Sequence, residues 1–257
     1  MRAVALTIAG SDPSGGAGIQ ADLKTFHRFG VYGEAAITLL TVQNTESVAR
    51  VEVLPRDLVR EQIEAVISDI PPRAAKTGAL GNREVIETVA DLSAQFMFPL
   101  VVDPVMVSKH GSRLLANDAV GALRRGLLPR AALVTPNIPE AETLSEIGIR
   151  TPDDMERAAA LILKNGCQAV LIKGGHLEGE PVDYLHSADI NHFFHFPRIA
   201  TPHTHGTGCT YSSAITALLA LGHPLVKAVA EAREFVQRAI ESAPALGRGN
   251  GPLNHFA

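Results

Sequence analysis

Short apolar runs alternate with longer amphipathic stretches along almost the whole chain, and this alternation limits the possible folds more than any other feature of the sequence. The apolar runs are too continuous for strands with one face in water, and they are typical of parallel strands covered on both faces. They lie at residues 3–9, 35–42, 73–77, 99–103, 131–135 and 168–173. The pattern therefore predicts a buried, mostly parallel sheet.

The stretches between these runs have apolar residues at helical spacing, so each would bury one face. Two of them begin at helix-start signals, because Pro152 directly follows Thr151 and Pro224 follows Gly222 and His223. A further helix, rich in small residues, is expected to begin near residue 209. The other predicted helices lie at 57–68, 82–97, 137–147, 152–164 and 224–241.

Strands that alternate with helices predict a doubly wound α/β fold. Three more alternating segments, at 48–53, 182–186 and 192–197, are interpreted as antiparallel edge strands. Because no low-complexity segment, repeat or linker interrupts the pattern, residues 1–257 are expected to form a single domain.

Charge and cysteine content narrow the class of function. The net charge is −4 and no run of Lys or Arg stands out, so we expect small-molecule partners rather than nucleic acid. No stretch reaches the roughly 18 apolar residues that a membrane-spanning helix needs, so no membrane partner is expected. The two cysteines, Cys167 and Cys209, cannot form a disulfide framework, which favours a reducing cytoplasm.

Polar or glycine-rich segments follow nearly every predicted strand, and ligands of doubly wound sheets bind beyond the carboxyl ends of the strands. Neither a Gly-x-Gly-x-x-Gly fingerprint nor a P-loop is present, which argues against Rossmann cofactor binding and P-loop chemistry. The segments are GSDPSGGAG at 10–18, QNT at 43–45, KTGAL at 76–80, DPVM at 103–106, PNIPE at 136–140 and KGGH at 173–176. They predict one binding site built from many loops.

The segment HTHGTGCTYSS at 203–213 combines a glycine-hinged turn with a helix start. Gly206 and Gly208 allow the backbone to approach a ligand closely. The N–H groups around Thr207 would then favour an anion, such as a phosphoryl group in transfer.

Cys209 follows this turn directly. A helix N-terminus lowers a thiol pKa, so its thiolate could accept a proton from an alcohol. The alternative is an ordinary helix start that is capped by Thr207 or Thr210, with Cys209 as a small buried side chain.

Two carboxylates are candidates for Mg²⁺. Asn137 and Glu140 have the spacing of a helix capping box, which explains both residues structurally. Glu140 could also organise a hydrated Mg²⁺ while Asn137 faces a nucleotide, and Asp103 is a second hard oxygen ligand at a strand end.

Three other polar residues follow strands. Lys173, before Gly174 and Gly175, could reach phosphate oxygens, although a solvated lysine at a strand end is the commoner situation. Asp22 and Gln43 suit an amino-substituted heterocycle with an alcohol arm, because the amide offers a donor beside an acceptor.

Taken together, the motifs resemble those of the hydroxymethylpyrimidine/phosphomethylpyrimidine kinases of thiamine biosynthesis. The resemblance covers essentially the whole chain, and the ordered set of motifs is highly specific. The motifs are ALTIAGSDPSGGAGIQADLKTF at 5–26, QNT at 43–45, KTGAL at 76–80, VVDPVMV at 101–107, TPNIPEAE at 135–142, LIKGGH at 171–176, THGTGC at 204–209 and GNGPLNHF at 249–256.

The resemblance implies a ribokinase-like, three-layer α/β/α sandwich that uses MgATP to phosphorylate 4-amino-5-hydroxymethyl-2-methylpyrimidine twice, as well as a homodimer. The implied pyrimidine-pocket residues are Gly10, Asp22, Gln43 and Val105. The implied nucleotide-phosphate contacts are Asn137, Lys173, Thr207 and Gly208. Mg²⁺ would be served by Asp103 and Glu140. The implied catalytic group is Cys209 as the base, with Gly206 and Gly208 at the phosphoryl site.

Two other functions remain open at this point. Some relatives have methionine where this chain has Ala79, and the smaller side chain leaves room for a pyridoxal-like ring, as in a pyridoxal kinase of the same superfamily. A non-catalytic vitamin-binding protein is the other alternative, although the retained set of polar residues argues against it.

Overall fold

The sheet is the central layer of the molecule. The structure is a computed structural model that describes residues 3–108, 111–112, 114–116, 118–175, 177 and 180–257; His176, which ends the KGGH segment, lies outside them. Within these ranges, the strands are β1 (Val4–Ser11), β2 (Tyr32–Gln43), β3 (Val48–Val53), β4 (Ala74–Thr77), β5 (Leu100–Val102), β6 (Leu133–Val134), β7 (Ala169–Lys173), β8 (Val182–Ser187) and β9 (Asn191–His195).

The strand order is β3-β2-β1-β4-β5-β6-β7-β8-β9. The six central strands, β2, β1, β4, β5, β6 and β7, pair in parallel, whereas β3 at one edge and β8 and β9 at the other pair antiparallel. This confirms the predicted sheet with its antiparallel edge strands. The last strand was predicted too long, because β9 ends at His195, two residues before Pro197, which has no N–H to donate.

Helices cover both faces of the sheet. They are α1 (Gly18–Arg28), α2 (Arg56–Asp69), α3 (Arg83–Ser93), α4 (Ala119–Ala122), α5 (Ile138–Ser145), α6 (Pro152–Leu163), α7 (Thr207–Ala220) and α8 (Leu225–Glu241). Apolar residues of α2 to α6 pack on one face, and those of α1, α7 and α8 pack on the other. The three-layer α/β/α sandwich is therefore confirmed.

Helix starts were easier to predict than helix ends. Thr151 caps α6 in a capping box and Pro224 precedes α8, as expected. By contrast, α3 ends at Ser93 rather than at 97, because the chain turns there to enter β5. The helices α1 and α4 were not predicted. The first of these begins at Gly18 in the left-handed region, with φ 57° and no side-chain cap, so its start carries no sequence signal.

The carboxyl ends of β1, β2, β4, β5, β6 and β7 lie along one edge of the sheet, because these strands run in the same direction. The polar segments that follow them are thereby brought to the same side of the molecule. In the described part of the chain, no helix has both the length and the apolar character that crossing a bilayer requires.

Candidate active site

A cavity of about 1020 Å³ lies at this edge of the sheet, and the loops that follow the parallel strands form its walls together with the start of α7. Asp22 is the one predicted site residue that does not line it. Those that do are Gly10, Gln43, Asp103, Val105, Asn137, Glu140, Lys173, Gly206, Thr207, Gly208 and Cys209. The fold thus brings these residues into one space, while their individual roles stay predictions.

Gly206 makes the turn into α7 possible. It is the N-cap residue of the helix, with φ 82°, a conformation that side chains other than glycine rarely adopt. A Cβ at this position would also overlap with the carbonyl oxygen of Gly16. The close packing of these two backbone segments therefore requires glycine at position 206.

The first turn of α7 has no side-chain cap. The Thr207 hydroxyl donates instead to the carbonyl oxygen of Thr204 at 2.7 Å, and the Thr210 hydroxyl lies 3.1 Å from Nε2 of His255. The alternative of a helix start capped by either threonine is therefore wrong. The Thr207 N–H donates to the carbonyl oxygen of Thr204 at 3.3 Å, whereas the N–H groups of Gly208 and Cys209 have no partner within the helix and could donate to an anion in the cavity.

Gly208 lies beside two charged side chains. A Cβ at Gly208 would be 3.4 Å from Nζ of Lys173 and 3.8 Å from Oδ2 of Asp103. These are ordinary contact distances, and the backbone here is not left-handed, so an alanine fits the unliganded protein. Its methyl group would nevertheless occupy the space where a phosphate would meet the backbone and Lys173.

Gly208→Ala is therefore expected to fold normally and to lose about 10²-fold in kcat with both an alcohol and a phosphate acceptor, because the transferring group is displaced. Steady-state rates with the two acceptors measure the loss. Gly126→Ala is the matched control, since its Cβ would lie 3.5 Å from Cβ of Ala90 and Gly126 does not line the cavity. Unchanged rates for Gly208→Ala would exclude a phosphate site here.

Cys209 is a protonated thiol at neutral pH. Burial raises its pKa to about 11; the Lys76 ammonium acts in the opposite direction, and the carboxylates of Asp22 and Asp103 add to the rise. The expected lowering of this pKa is therefore wrong in direction. The physical reason is that desolvation of the buried thiolate outweighs the favourable charges around it.

Asp103 and Lys173 form an ion pair on the cavity wall, with 2.9 Å between Nζ and Oδ1. The hydroxyls of Thr135 and Ser212 also donate to the Asp103 carboxylate, each at 3.2 Å. Burial by itself would raise the pKa of Asp103, but the positive charges of Lys173 and Lys76 outweigh it and lower the pKa. Asp103 is therefore ionised at neutral pH.

Asn137 and Glu140 form the predicted capping box at the start of α5: each side chain accepts from the other residue's N–H, at 2.9 Å. Glu140 is also in an unfavourable position for a negative charge. Burial raises its pKa to about 7; Lys173 works against this rise and Asp103 adds to it. A cation near this carboxylate would relieve the penalty, so the structural role does not exclude a functional one.

The carboxylates of Asp103 and Glu140 suit a hydrated Mg²⁺ better than a metal ion that is bound entirely by protein side chains. Among the described residues, no group of three or more His, Cys, Asp and Glu side chains is arranged to hold a metal ion. Mg²⁺ commonly binds through one or two carboxylates, several waters and the phosphates of its substrate. Asp103 and Glu140 fit that mode, and the bond from Lys173 to Asp103 favours contact through water.

Asp22 lies behind the cavity wall and is fully buried. Its oxygens accept from Nζ of Lys76 at 2.8 and 2.9 Å, and the Thr7 hydroxyl donates to Oδ2 at 2.6 Å. Asp22 was predicted to line the pocket, and its pairing with Lys76 was not predicted. A lysine inside the apolar run at 73–77 was the available signal, because a charge buried in a strand needs a partner.

The predicted pyrimidine-pocket residues Gly10, Gln43 and Val105 line the cavity together with Ala79. A Cβ at Gly10 would lie 2.5 Å from Cδ1 of Leu39, so a larger residue here would have to displace that side chain. The small side chain of Ala79 leaves space in the same cavity.

Several polar residues of the cavity were not predicted. His205 is buried, and its Nε2 lies 2.7 Å from Oδ2 of Asp12. Asp183 and Arg233 line another part of the wall, with Arg233 packed 3.3 Å from the ring centroid of Phe196. Nothing in the local sequence signals these contacts, because the partners are far apart along the chain.

Comparisons with known proteins identify the family of this chain. The family model described as phosphomethylpyrimidine kinase matches residues 12–254. The chain belongs to the phosphomethylpyrimidine kinase family. Its curated relatives include the hydroxymethylpyrimidine/phosphomethylpyrimidine kinase of Haemophilus influenzae, which is 49% identical over 98% of this chain and 96% of its own length.

Solved structures of this family and of pyridoxal kinases share the fold. The phosphomethylpyrimidine kinase of Clostridium difficile 630 is 46% identical and superposes with a TM-score of 0.84 over 93% of this chain and 100% of its own. The pyridoxal kinase of Staphylococcus aureus in complex with AMP-PCP and pyridoxal is 37% identical, with a TM-score of 0.92 over 100% of this chain and 94% of its own. The protein is therefore a kinase of this family with the expected fold.

Proposed function

We propose that the protein transfers the γ-phosphoryl group of MgATP to 4-amino-5-hydroxymethyl-2-methylpyrimidine, and then a second one to the resulting monophosphate. The observation that carries the proposal is the shared cavity. Gly208 lies beside the Lys173–Asp103 ion pair at the start of α7, and Gln43 lines the same cavity.

The nucleotide phosphates would lie against the first turn of α7 and the Lys173 ammonium, with Thr207 and Asn137 on the adjacent walls. Mg²⁺, when bound with the nucleotide, would neutralise charge on the transferring group. Asp103 and Glu140 would hold it through water. Transfer of this kind depends mainly on positioning and charge neutralisation, which these fixed groups supply.

The pyrimidine would lie among Gly10, Gln43 and Val105, with its hydroxymethyl group directed towards Cys209. The Cys209 thiolate would accept the alcohol proton as the oxygen attacks phosphorus. Asp22 would act on this arrangement through Lys76, whose ammonium is the positive charge that favours the thiolate.

The decisive assay incubates the purified protein with MgATP and the free pyrimidine and identifies products by mass spectrometry. We expect the monophosphate first and the diphosphate later, each with one ADP formed. Binding of the pyrimidine without ADP formation would instead indicate the non-catalytic vitamin-binding alternative.

A pyridoxal kinase activity is the second candidate, and the space beside Ala79 favours it. Parallel assays with pyridoxal and the pyrimidine alcohol compare kcat/KM directly. A higher value for pyridoxal would replace the main proposal. The homodimer and the cytoplasmic location inferred from the sequence stay predictions.

A further inference from the structure

The imidazole of His205 lies between a carboxylate and the amide of Gln43. Its Nε2 atom is 2.7 Å from Oδ2 of Asp12 and 3.3 Å from the amide nitrogen, Nε2, of Gln43. Asp12 and His205 are each 3% exposed, whereas Gln43 is half-buried and lines the cavity at the end of β2. A buried pair thus contacts the one amide that faces the substrate pocket from this strand.

Asp12 can only accept hydrogen bonds here. Its Oδ1 accepts from the N–H and the hydroxyl of Ser14, at 2.9 and 2.7 Å, and its Oδ2 accepts from the N–H of Ala17 at 2.9 Å. Burial works to raise the pKa of Asp12, but the hydrogen bonds from His205 and Ser14 outweigh it and lower the pKa. Because Asp12 is an ionised acceptor, Nε2 of His205 must carry the hydrogen of the bond between them.

The imidazole is also fixed in place. A Cβ on Gly16 would lie only 2.5 Å from Cδ2 of His205, so the ring packs directly on the glycine backbone. The backbone N–H of His205 donates to the carbonyl oxygen of Gly251 at 3.1 Å, within the GNGPLNHF segment. This C-terminal segment therefore holds the backbone from which the ring projects.

The proton on Nε2 determines how the Gln43 amide is oriented. A protonated imidazole nitrogen has no lone pair to accept a hydrogen bond, so the Gln43 amide nitrogen at this position would meet it donor to donor. We therefore assign the amide in the reverse orientation, in which its oxygen faces Nε2 and shares the hydrogen that Nε2 donates to Asp12. The amide NH₂ is then the group left to donate to a ligand. The oxygen retains a second lone pair beside it, so the amide offers a donor and an acceptor in a defined order.

We propose that Asp12 and His205 are positioning residues that fix the Gln43 amide in this order, so that the pocket selects rings with an amino group next to an acceptor nitrogen. The corresponding oxo ring presents the reverse pattern, a carbonyl next to a ring N–H, and would leave the fixed amide mismatched. The inference rests on the proposed function, because it concerns how the same pyrimidine pocket recognises its ring.

The test compares the binding of two rings by isothermal titration calorimetry. One is 4-amino-5-hydroxymethyl-2-methylpyrimidine and the other is 5-hydroxymethyl-2-methylpyrimidin-4-one, which exchanges the donor and acceptor. Wild-type protein is expected to bind the amino ring about 10- to 100-fold more tightly, because the oxo ring leaves polar groups unpaired.

Two substitutions of His205 separate orientation from packing. His205→Met has a similar length but no donor, so the amide can turn and the ratio of the two affinities is expected to fall about tenfold or more. His205→Gln keeps an N–H donor at the end of the side chain and is expected to retain most of the ratio. If His205 has only a structural role, its substitution would weaken the binding of both rings equally and leave the ratio of their affinities unchanged. The affinity for ATP is measured as a further control.

Gln43→Glu tests the same inference at the amide itself. A carboxylate can only accept hydrogen bonds, so this variant is expected to bring the ratio of the affinities for the amino and oxo rings to one or below. The inference is overturned if His205→Met keeps the wild-type ratio, if His205→Gln is no better than His205→Met, or if Gln43→Glu leaves the preference intact. Wild-type protein that binds neither ring also overturns it. Failure of the proposed function is distinguished by the product assay: the amino ring would bind but would yield no phosphorylated product with MgATP.

Discussion

Cys209→Ala is expected to lower kcat for phosphorylation of the pyrimidine alcohol by about 10²- to 10⁴-fold, the usual contribution of a general base. The second phosphorylation should be nearly unaffected, because its acceptor is already an anionic phosphate and has no alcohol proton to lose. Steady-state assays with the free alcohol and with the monophosphate give the two rates. The difference between them is the quantity that identifies a base.

The pH dependence of the same variant gives an independent test. Since burial raises the pKa of Cys209 to about 11, the thiolate is a minor species near neutral pH, and its fraction rises tenfold for each pH unit. The wild-type alcohol rate should therefore increase steadily from about pH 7 to 9. In Cys209→Ala this rise should disappear, while the rate with the monophosphate should have the same pH profile in both proteins.

Cys209→Ser is the matched control, because it keeps the size of the side chain and replaces the sulfur. A packing role predicts that serine restores the wild-type rates, whereas a base role predicts a loss similar to that of alanine. Equal losses for the two acceptors in Cys209→Ala would assign Cys209 to packing.

Lys76→Met should lower the free energy of unfolding by about 3–5 kcal/mol, because it leaves the Asp22 carboxylate buried without its partner. Both side chains of this pair are fully buried, and the Asp22 oxygens lie 2.8 and 2.9 Å from the ammonium. Burial raises the pKa of Asp22, and the positive charge of Lys76 offsets part of this rise. In Lys76→Met that charge is lost, so the full cost of burying the carboxylate remains. Urea denaturation at neutral pH measures the loss.

Two comparisons distinguish a buried pair from a general effect of losing a lysine. Lys227→Met removes a surface pair with Glu231, 3.6 Å apart and with Lys227 59% exposed, and should change stability by less than about 1 kcal/mol. The double variant Lys76→Met/Asp22→Leu should recover most of the stability, because no charge is left unpaired. A Lys76→Met protein as stable as Lys227→Met would contradict the account.

Much of the fold could be predicted because its signals are local. Apolar runs such as 168–173 and helix starts such as Thr151 and Pro152 need only a few neighbouring residues to be recognised. The convergence of the loops was also predictable, since parallel strands place their carboxyl ends at the same edge. Helix α1 was not predicted, because its start at Gly18 has no side-chain cap.

The sequence by itself determined the layered α/β fold, the edge of the sheet where the cavity lies and the family, because the periodicity and the ordered motifs that specify them are properties of the chain. Only the tertiary structure decided the state of individual groups. Asp22 meets Lys76 across 54 residues and Asp12 meets His205 across 193. Charge, burial and tautomer at such positions follow from which distant segments pack together, so the high pKa of Cys209 could not be inferred from its neighbours in the chain.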